Sequence, residues 1–334
     1  MSVSKPTIHD VASLAGMSKS LVSLALSGSP KVSAKSRAKI ERAAEELGYR
    51  RNAAAASLAV RRSQTIGMLV LDLHNPVFAE IVDVVQRAVR EHGFSTMLVS
   101  GGNDPEREQT ELETLLQFQV EGLILISHRL PKETLARIAA EVPCVTVTRD
   151  DVAVAGMDRV SNDDVAGAGL AVDHLVAQGH HTIVHLNGGA NPVSEARAAG
   201  YEAAMRAHGL ESKISVVSGG LTDSAGYAAA KKALAQQPTA LFVANDFAAM
   251  GAIAAIEEAG LQVPDDVSVI GYDGISLGAL RNINLTSIAQ PLAQLGEKAA
   301  TRLLQRIQSP GGPARHDKMS SQLVTRGTTG PARH

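Results

Sequence analysis

The sequence predicts an α/β protein in two parts. The first is a small all-α head with a helix-turn-helix and a hinge helix. The second is a larger body of two lobes on doubly wound parallel sheets. Three observations predict this. Charge is split along the chain: residues 1–62 hold eleven Lys/Arg against four Asp/Glu, net +7, and the remainder holds 21 against 30, net −9. Short segments with capping residues fill the first fifty positions. From Ile66 onward, short apolar runs alternate with amphipathic stretches, the mark of strands separated by helices. A chain of 334 residues, 45% of them hydrophobic, buries a large core and divides into more than one domain.

The head elements follow in order. Thr7-Ile8-His9-Asp10 fits a capping box, with Ile8, Val11, Ala12 and Ala15 at helical spacing and Gly16 as the stop. Ser18 caps a second helix over 19–26, joined to the first by Ala15-Gly16-Met17. Ser33 caps a third, with Ile40, Ala43, Ala44 and Leu47 inward and Gly48 as its end. In a helix-turn-helix the second helix enters the major groove by its N-terminal residues. A basic head on an acidic body suits a polyanionic partner. On the second helix, in "SLVSLALSG", Leu24 shares the outward side with Ser20, Ser23 and Ser27. Either its partner is an apolar group outside the chain, or it folds back over the turn.

The stretch "TIHDVASLAGMSKSLVSLALSGSPKVSAKSRAKIERAAEELGYRRNAAAASLA" resembles, without gaps, the DNA-binding head of the LacI/GalR family of bacterial transcriptional repressors. The resemblance includes the T-I-x-D-V-A-x-L-A-G opening, the V-S turn into helix three and the E-L-G-Y-x-x-N-A-A-A exit. It implies that Lys19 and Ser20 read bases first and that position 24 reads a further base edge. Many relatives carry Arg there, suited to guanine; Leu24 suits a thymine methyl. Thr7, Ser18, Ser23 and Lys31 complete the implied DNA-facing set. Residues 52–60, "NAAAASLAV", are Ala-rich but too short to hold a helix alone in water. The resemblance implies a hinge helix that folds when two subunits meet on DNA, with Asn52 at its start and Leu58 as a minor-groove wedge. Arg51 stands where many relatives have Pro, which loosens the unbound hinge and adds a phosphate contact.

In the body, "IGMLVLD", "STMLVSG", "EGLILIS", "CVTVT", "TIVHLN", "ISVVSG", "ALFVAN" and "VSVIGYD" read as strands. Residues 78–91, 106–119, 165–178, 195–208 and 246–259 read as helices between them. Ligands of such sheets bind at the carboxyl ends of strands, in the crevice between lobes. Residues 66–327 resemble the family's regulatory half, which is similar to type I periplasmic sugar-binding proteins. The expected division is a DNA-binding domain 1–48, a hinge and linker 49–64, and an effector-binding and dimerisation domain 65–334. Within the last, the N-lobe takes about 65–162 and 291–320. The C-lobe takes about 163–290 with the C-terminal strand.

Polar residues at strand ends are the effector candidates. The resemblance places Asn75, Phe78, Arg197, Asn245 and Asp273 at effector-contact positions. Arginine forks over vicinal hydroxyls or a carboxylate, and Asn and Asp pair with hydroxyls. Asp246 is either a contact or a helix cap, and Gln290 either a contact or a hinge support. His74 and His128 lie near strand ends. Aromatic residues are scarce, with no Trp, five Phe and four Tyr, and Leu221 stands where some relatives carry an aromatic. That scarcity departs from the aromatic floor usual in sugar sites, and the resemblance implies as effector a sugar, a sugar phosphate or a related polyol.

Other chemistries find little support. His180-His181 sit in a turn with no third ligand nearby, so no metal is expected. "GAGLAV" gives only two glycines of a dinucleotide fingerprint, so no cofactor is expected. Cys144 in "VPCVTV" reads as a buried, inert thiol. No apolar run reaches a membrane span and the N-terminus lacks a secretory pattern, so a cytoplasmic protein is expected. The last 26 residues carry no apolar heptads, which favours a homodimer over a helical-tail tetramer. The leading expectation is a ligand-responsive, non-enzymatic repressor of carbohydrate genes on a near-palindromic operator. The alternatives are an NAD-type α/β enzyme and a solute-binding protein acting on a sugar.

Overall fold

The computed structural model describes residues 6–50 and 62–333. They form two compact units, Met1–Ser63 and Gln64–His334. The hinge-helix expectation, with Arg51, Asn52 and Leu58, falls outside the described residues.

In the first unit, α1 (Ile8–Ala15) opens on the capping box: Thr7 Oγ1 accepts from Asp10 N–H, and Thr7 N–H donates to Asp10 Oδ2 at 2.7 Å. Gly16, at φ 60°, closes it in the left-handed conformation that glycine adopts freely. Helix α2 (Lys19–Leu26) is capped by Ser18 and α3 (Ala34–Glu46) by Ser33. Three short helices bury little surface each, so small side chains make a tight core: Val11, Ala12, Ala15, Val22, Ala25, Val32, Ile40, Ala43 and Ala44. Arg37 of α3 donates to the carbonyls of Ala25 and Ser29, both at 2.6 Å, and so satisfies acceptors at the end of α2.

The second unit begins with β1 (Thr65–Val70), α4 (Pro76–Glu91), β2 (Ser95–Ser100), α5 (Pro105–Gln117), β3 (Gly122–Ile126), α6 (Lys132–Glu141), β4 (Cys144–Val147) and β5 (Met157–Asn162). It continues with α7 (Asp164–Ala177), β6 (Ile183–Asn187), α8 (Pro192–Ala207), β7 (Ser215–Ser218), α9 (Asp223–Leu234), β8 (Ala240–Val243), α10 (Asp246–Glu258), β9 (Ser268–Asp273) and β10 (Thr286–Ala289). It ends with α11 (Leu292–Gln308), β11 (His316–Met319) and β12 (Gln322–Val324). The first sheet runs β11-β5-β4-β3-β1-β2, all parallel; the second runs β12-β10-β9-β8-β6-β7, parallel except for β12 against β10. The chain passes between sheets after β5, after β10 and between β11 and β12.

Each lobe is covered on both faces, as parallel sheets require. Helices α4 and α11 pack on the first sheet through Ile81, Val85, Leu295, Ala299 and Leu303 around Ile66, Met68 and Ile124. In the second lobe α9 and α10 meet at very short range. A Cβ at Gly226 would lie 2.0 Å from Ala248 O, and one at Gly251 would lie 1.8 Å from Asp223 O, so only glycine permits that crossing.

All eight apolar runs contain strands, but β5, β10, β11 and β12 were not among them. Two of these carry polar residues that only tertiary partners explain. Asp158 of β5 is buried against Arg306 of α11, at 2.6 and 2.7 Å, and β11 is an edge strand reading HDKM. Such strands lack the period-two signal.

Candidate functional site

Ser18 and Thr7 spend their hydroxyls on helix caps, at 3.2 Å to Leu21 N and 3.4 Å to Asp10 N. Lys19, Ser20, Ser23 and Lys31 are exposed. Leu24 is 40% exposed and is absent from the apolar side chains packed on the head core, whereas Leu21 and Leu26 are among them. At 40% exposure Leu24 presents part of its side chain outward from α2, as contact with an apolar group outside the chain requires.

In the body, strand ends of the two sheets enclose a cavity of about 210 Å³. Asn75, Phe78, Arg197, Asn245 and Asp273, separated by up to 198 positions in sequence, all line it. Asn75 caps α4 through Val77 N–H at 3.1 Å. Asn245 caps α10 through Ala248 N–H at 2.9 Å and donates to Leu221 O at 3.1 Å, so its side chain is committed at both ends. Phe78, 6% exposed, also belongs to the first-lobe core.

Arg197 is the electrostatic centre. It is 4% exposed, donates from Nε to Asp164 at 2.9 Å and from Nη1 to Ala244 O at 2.5 Å, and places Nη2 3.2 Å from Asp273. Its guanidinium lies 3.7 Å from the centroid of the Tyr272 ring. Burial disfavours its charge, but the two carboxylates outweigh that and push its pKa up. Asp273 is pushed up to about 6, mainly by burial, with Arg197 and Gln290 opposing. Gln290 supports the site on two sides: its side chain donates to Asp273 Oδ1 at 2.6 Å and its N–H to Asp273 O at 3.0 Å, while it also lines the cavity.

Behind the cavity, Tyr272 reaches two of the passages between lobes. Asn162 Nδ2 donates to its hydroxyl at 2.7 Å, Ser321 Oγ lies 3.3 Å from it, and Ser321 donates to Asn162 Oδ1 at 2.8 Å. Gly167 makes room for this hydroxyl, since a Cβ there would lie 2.2 Å away. The first glycine of "GAGLAV" thus has a packing reason, whereas Gly169 faces open space.

Several lining residues were not singled out in the sequence. Ser127 and Thr148, at φ 55° and 73°, end β3 and β4 in the left-handed region, and Arg149 forks onto Asp151 at 2.6 and 2.8 Å. Each follows an apolar strand directly, which is the one available signal. His128 lines the cavity as a neutral ring, its pKa lowered to about 3 by burial and Arg149. His74 does not line it; it is exposed and 2.7 Å from Asp72. Asp246 neither lines the cavity nor caps α10, the cap being Asn245. Phe247, which follows Asp246 on α10, lines a neighbouring cavity rather than this one. Cys144 is buried with its thiol pushed up to about 12. No helix among the described residues is long and apolar enough to cross a membrane.

Two family patterns match the chain. "Bacterial regulatory proteins, lacI family" covers residues 7–52, and "Periplasmic binding proteins and sugar binding domain of LacI family" covers residues 63–330. The chain is 36% identical over 330 residues to the ribose operon repressor of Escherichia coli K12, covering 96% of this chain and 99% of that protein. It is 33% identical over 332 residues to the transcriptional repressor PurR of Aliivibrio fischeri, covering 96% and 97%. Among solved structures it is similar to the Lac repressor dimer bound to operator and the anti-inducer ONPF, at TM-score 0.85 and 31% identity over 97% of this chain and 99% of that one. It is also similar to a regulator from Enterococcus faecium with bound ribose, at TM-score 0.74 and 28% identity over 80% and 100%. With head and body matched in order and a relative more than a third identical over nearly the whole length, the protein belongs to the lacI family of bacterial regulatory proteins.

Proposed function

We propose that the chain is a homodimeric, cytoplasmic repressor, not an enzyme, that responds to an uncharged sugar. The observation that carries the effector reading is the compensation of Arg197 by Asp164 and Asp273 at the cavity wall. Arg149 is likewise paired, with Asp151. Guanidiniums so neutralised still offer N–H donors to hydroxyls but give little net attraction to a phosphate. The pairing of Arg197 and Arg149 favours a polyol of monosaccharide size, and Arg129, exposed on the same cavity lining, is the cation that the phosphate arm of the test addresses. The wall groups are held in caps and ion pairs, an arrangement for binding rather than proton transfer. The ribose named for two of the relatives makes D-ribose the first candidate.

Residues 1–48 are the reader, with Lys19, Ser20, Ser23, Leu24 and Lys31 toward the DNA and Thr7 and Ser18 at its helix caps. Asn52 and Leu58 belong to the neck, and residues 65–334 form the sensor. Sugar shifts DNA affinity only by binding one sensor conformation better than the other.

The test is a thermal-shift panel of D-ribose, other neutral pentoses and hexoses, and their phosphates, followed by a gel shift on promoter DNA with and without the active sugar. A true effector at a hundred times its Kd adds about 2.7 kcal/mol of stability. Stabilisation by phosphates alone would overturn the neutral-sugar reading. Indifference between promoter and random duplex would overturn the repressor reading.

A further inference from the structure

We propose that Asp246, a residue outside the cavity, is the positioning residue that sets the Asp273 turn in the geometry effector binding uses. The proposal rests on the effector reading above. Asp246 is fully buried at the start of α10, with helix capping left to Asn245. Its Oδ2 accepts from Ile275 N–H at 2.8 Å, and its Oδ1 accepts from the Ser287 hydroxyl at 2.6 Å. Ser287 Oγ in turn accepts from Gly274 N–H at 3.1 Å. The two consecutive N–H groups after Asp273 are therefore fixed by one carboxyl and one hydroxyl. The sequence makes space for this: a Cβ at Gly271 would lie 2.3 Å from Asp246 Oδ1.

The turn needs such an anchor. Asp273 has φ 111° and Gly274 φ 71°, so a non-glycine residue sits in the left-handed region at the cavity wall. Backbone of this kind persists only where surroundings over-determine it. Gln290 fixes Asp273 from one side, and Asp246 with Ser287 fixes the residues that follow. The same turn continues into the other lobe: Ile275 is buried in the first-lobe core, and Ser276 N–H donates to Glu80 of α4 at 3.1 Å. Asp246 thus fixes a segment that faces the effector at one end and the opposite lobe at the other. Burial and the neighbouring Asp273 push its carboxyl up to about 8. Once protonated, the carboxyl keeps Oδ2 as acceptor for Ile275 N–H and donates from Oδ1 to Ser287 Oγ, a pattern that a carboxamide reproduces with Nδ2 toward Ser287.

The experiment compares wild type, Asp246→Asn, Asp246→Ala and Ser287→Ala in the full-length protein. It uses D-ribose, or the neutral sugar of the panel that shifts wild type most, in calorimetric titration at pH 7. The expected result is a loss of at least tenfold in sugar affinity for Asp246→Ala and three- to tenfold for Ser287→Ala. Asp246→Asn should stay within threefold of wild type, and sugar-free operator affinity should stay within twofold for all. A purely structural role would lower stability and leave the affinity of the folded protein alone. Folded Ala variants that bind sugar as wild type does would overturn the proposal, and so would an Asn variant as impaired as Asp246→Ala. Should Asp246→Ala not fold, Ser287→Ala and Asp246→Asn decide it. Wild type that responds to no neutral sugar would overturn the effector reading itself, and this inference with it, before any variant is made.

Discussion

Arg197 sits over the Tyr272 ring, its guanidinium carbon 3.7 Å from the ring centroid, while its Nη2 reaches Asp273 at 3.2 Å. Two consecutive residues of β9 thus hold one arginine, Tyr272 with its ring and Asp273 with its carboxylate. The planar fork does what an ammonium cannot. Arg197→Lys is expected to keep the fold and lose at least tenfold in sugar affinity by titration. Arg197→Ala leaves Asp164 and Asp273 buried without their cation, which costs about 3–5 kcal/mol. For a unit of this size that lowers Tm by roughly 6 °C or more. A lysine variant that binds sugar like wild type would remove Arg197 from the site.

Tyr272 also explains a glycine. Gly167→Ala would press a methyl against the tyrosine hydroxyl, 2.2 Å from the ideal Cβ. We expect a loss of about 1–3 kcal/mol in urea unfolding. Tyr272→Phe, which lacks that oxygen, should recover part of it in the double variant. Simple additivity of the two changes would mean that the hydroxyl is not the obstruction.

Leu24 faces outward from α2 among serines. An apolar reader favours a thymine methyl, whereas an arginine favours guanine. Selection from random duplexes should therefore give different bases at one symmetric position for wild type and Leu24→Arg. Identical selected sites would show that Leu24 reads nothing.

Stability should depend on pH in two opposed windows. Asp246, faced by Asp273 from β9 and Ser287 from β10, has its pKa raised from 3.8 to about 8. The folded state holds a proton that the unfolded chain has released. Its contribution is complete below pH 3.8 and is lost as pH rises through about 8. His128 and His185 are lowered from 6.5 to about 3 and about 4, chiefly by burial. Their contribution is complete above pH 6.5 and is lost as pH falls through those values. Between pH 6.5 and 8 the Asp246 slope stands clear of these two histidines, at no more than about 1.4 kcal/mol per pH unit. Urea unfolding at pH 6.5 and pH 8 should show wild type losing stability with rising pH and Asp246→Asn losing less. Equal slopes would show that Asp246 does not hold the proton.

Much of this protein was legible in its residues. The capping signals around α1, α2 and α3 are local, because a hydroxyl at an N-cap reaches only two or three positions along the chain. The apolar strands were legible for a similar reason: a strand buried on both faces needs no tertiary context to read as one. The effector candidates came from family resemblance, and folding brings all five to one cavity. The polar strand β5 and the edge strand β11 were not legible, because the partners that make them stable lie elsewhere in the chain.

The sequence by itself determined the helical head, the alternation of strands and helices, and the residue types at the strand ends. Only the tertiary structure decided how those residues are used. It paired Arg197 with Asp164 and Asp273, turned Leu24 outward, and gave Asp246 a buried task that neither capping nor ligand contact describes. The physical reason is range. Caps and periodicity are set by neighbours a few positions apart, whereas a buried charge is set by whatever distant segment arrives to compensate it.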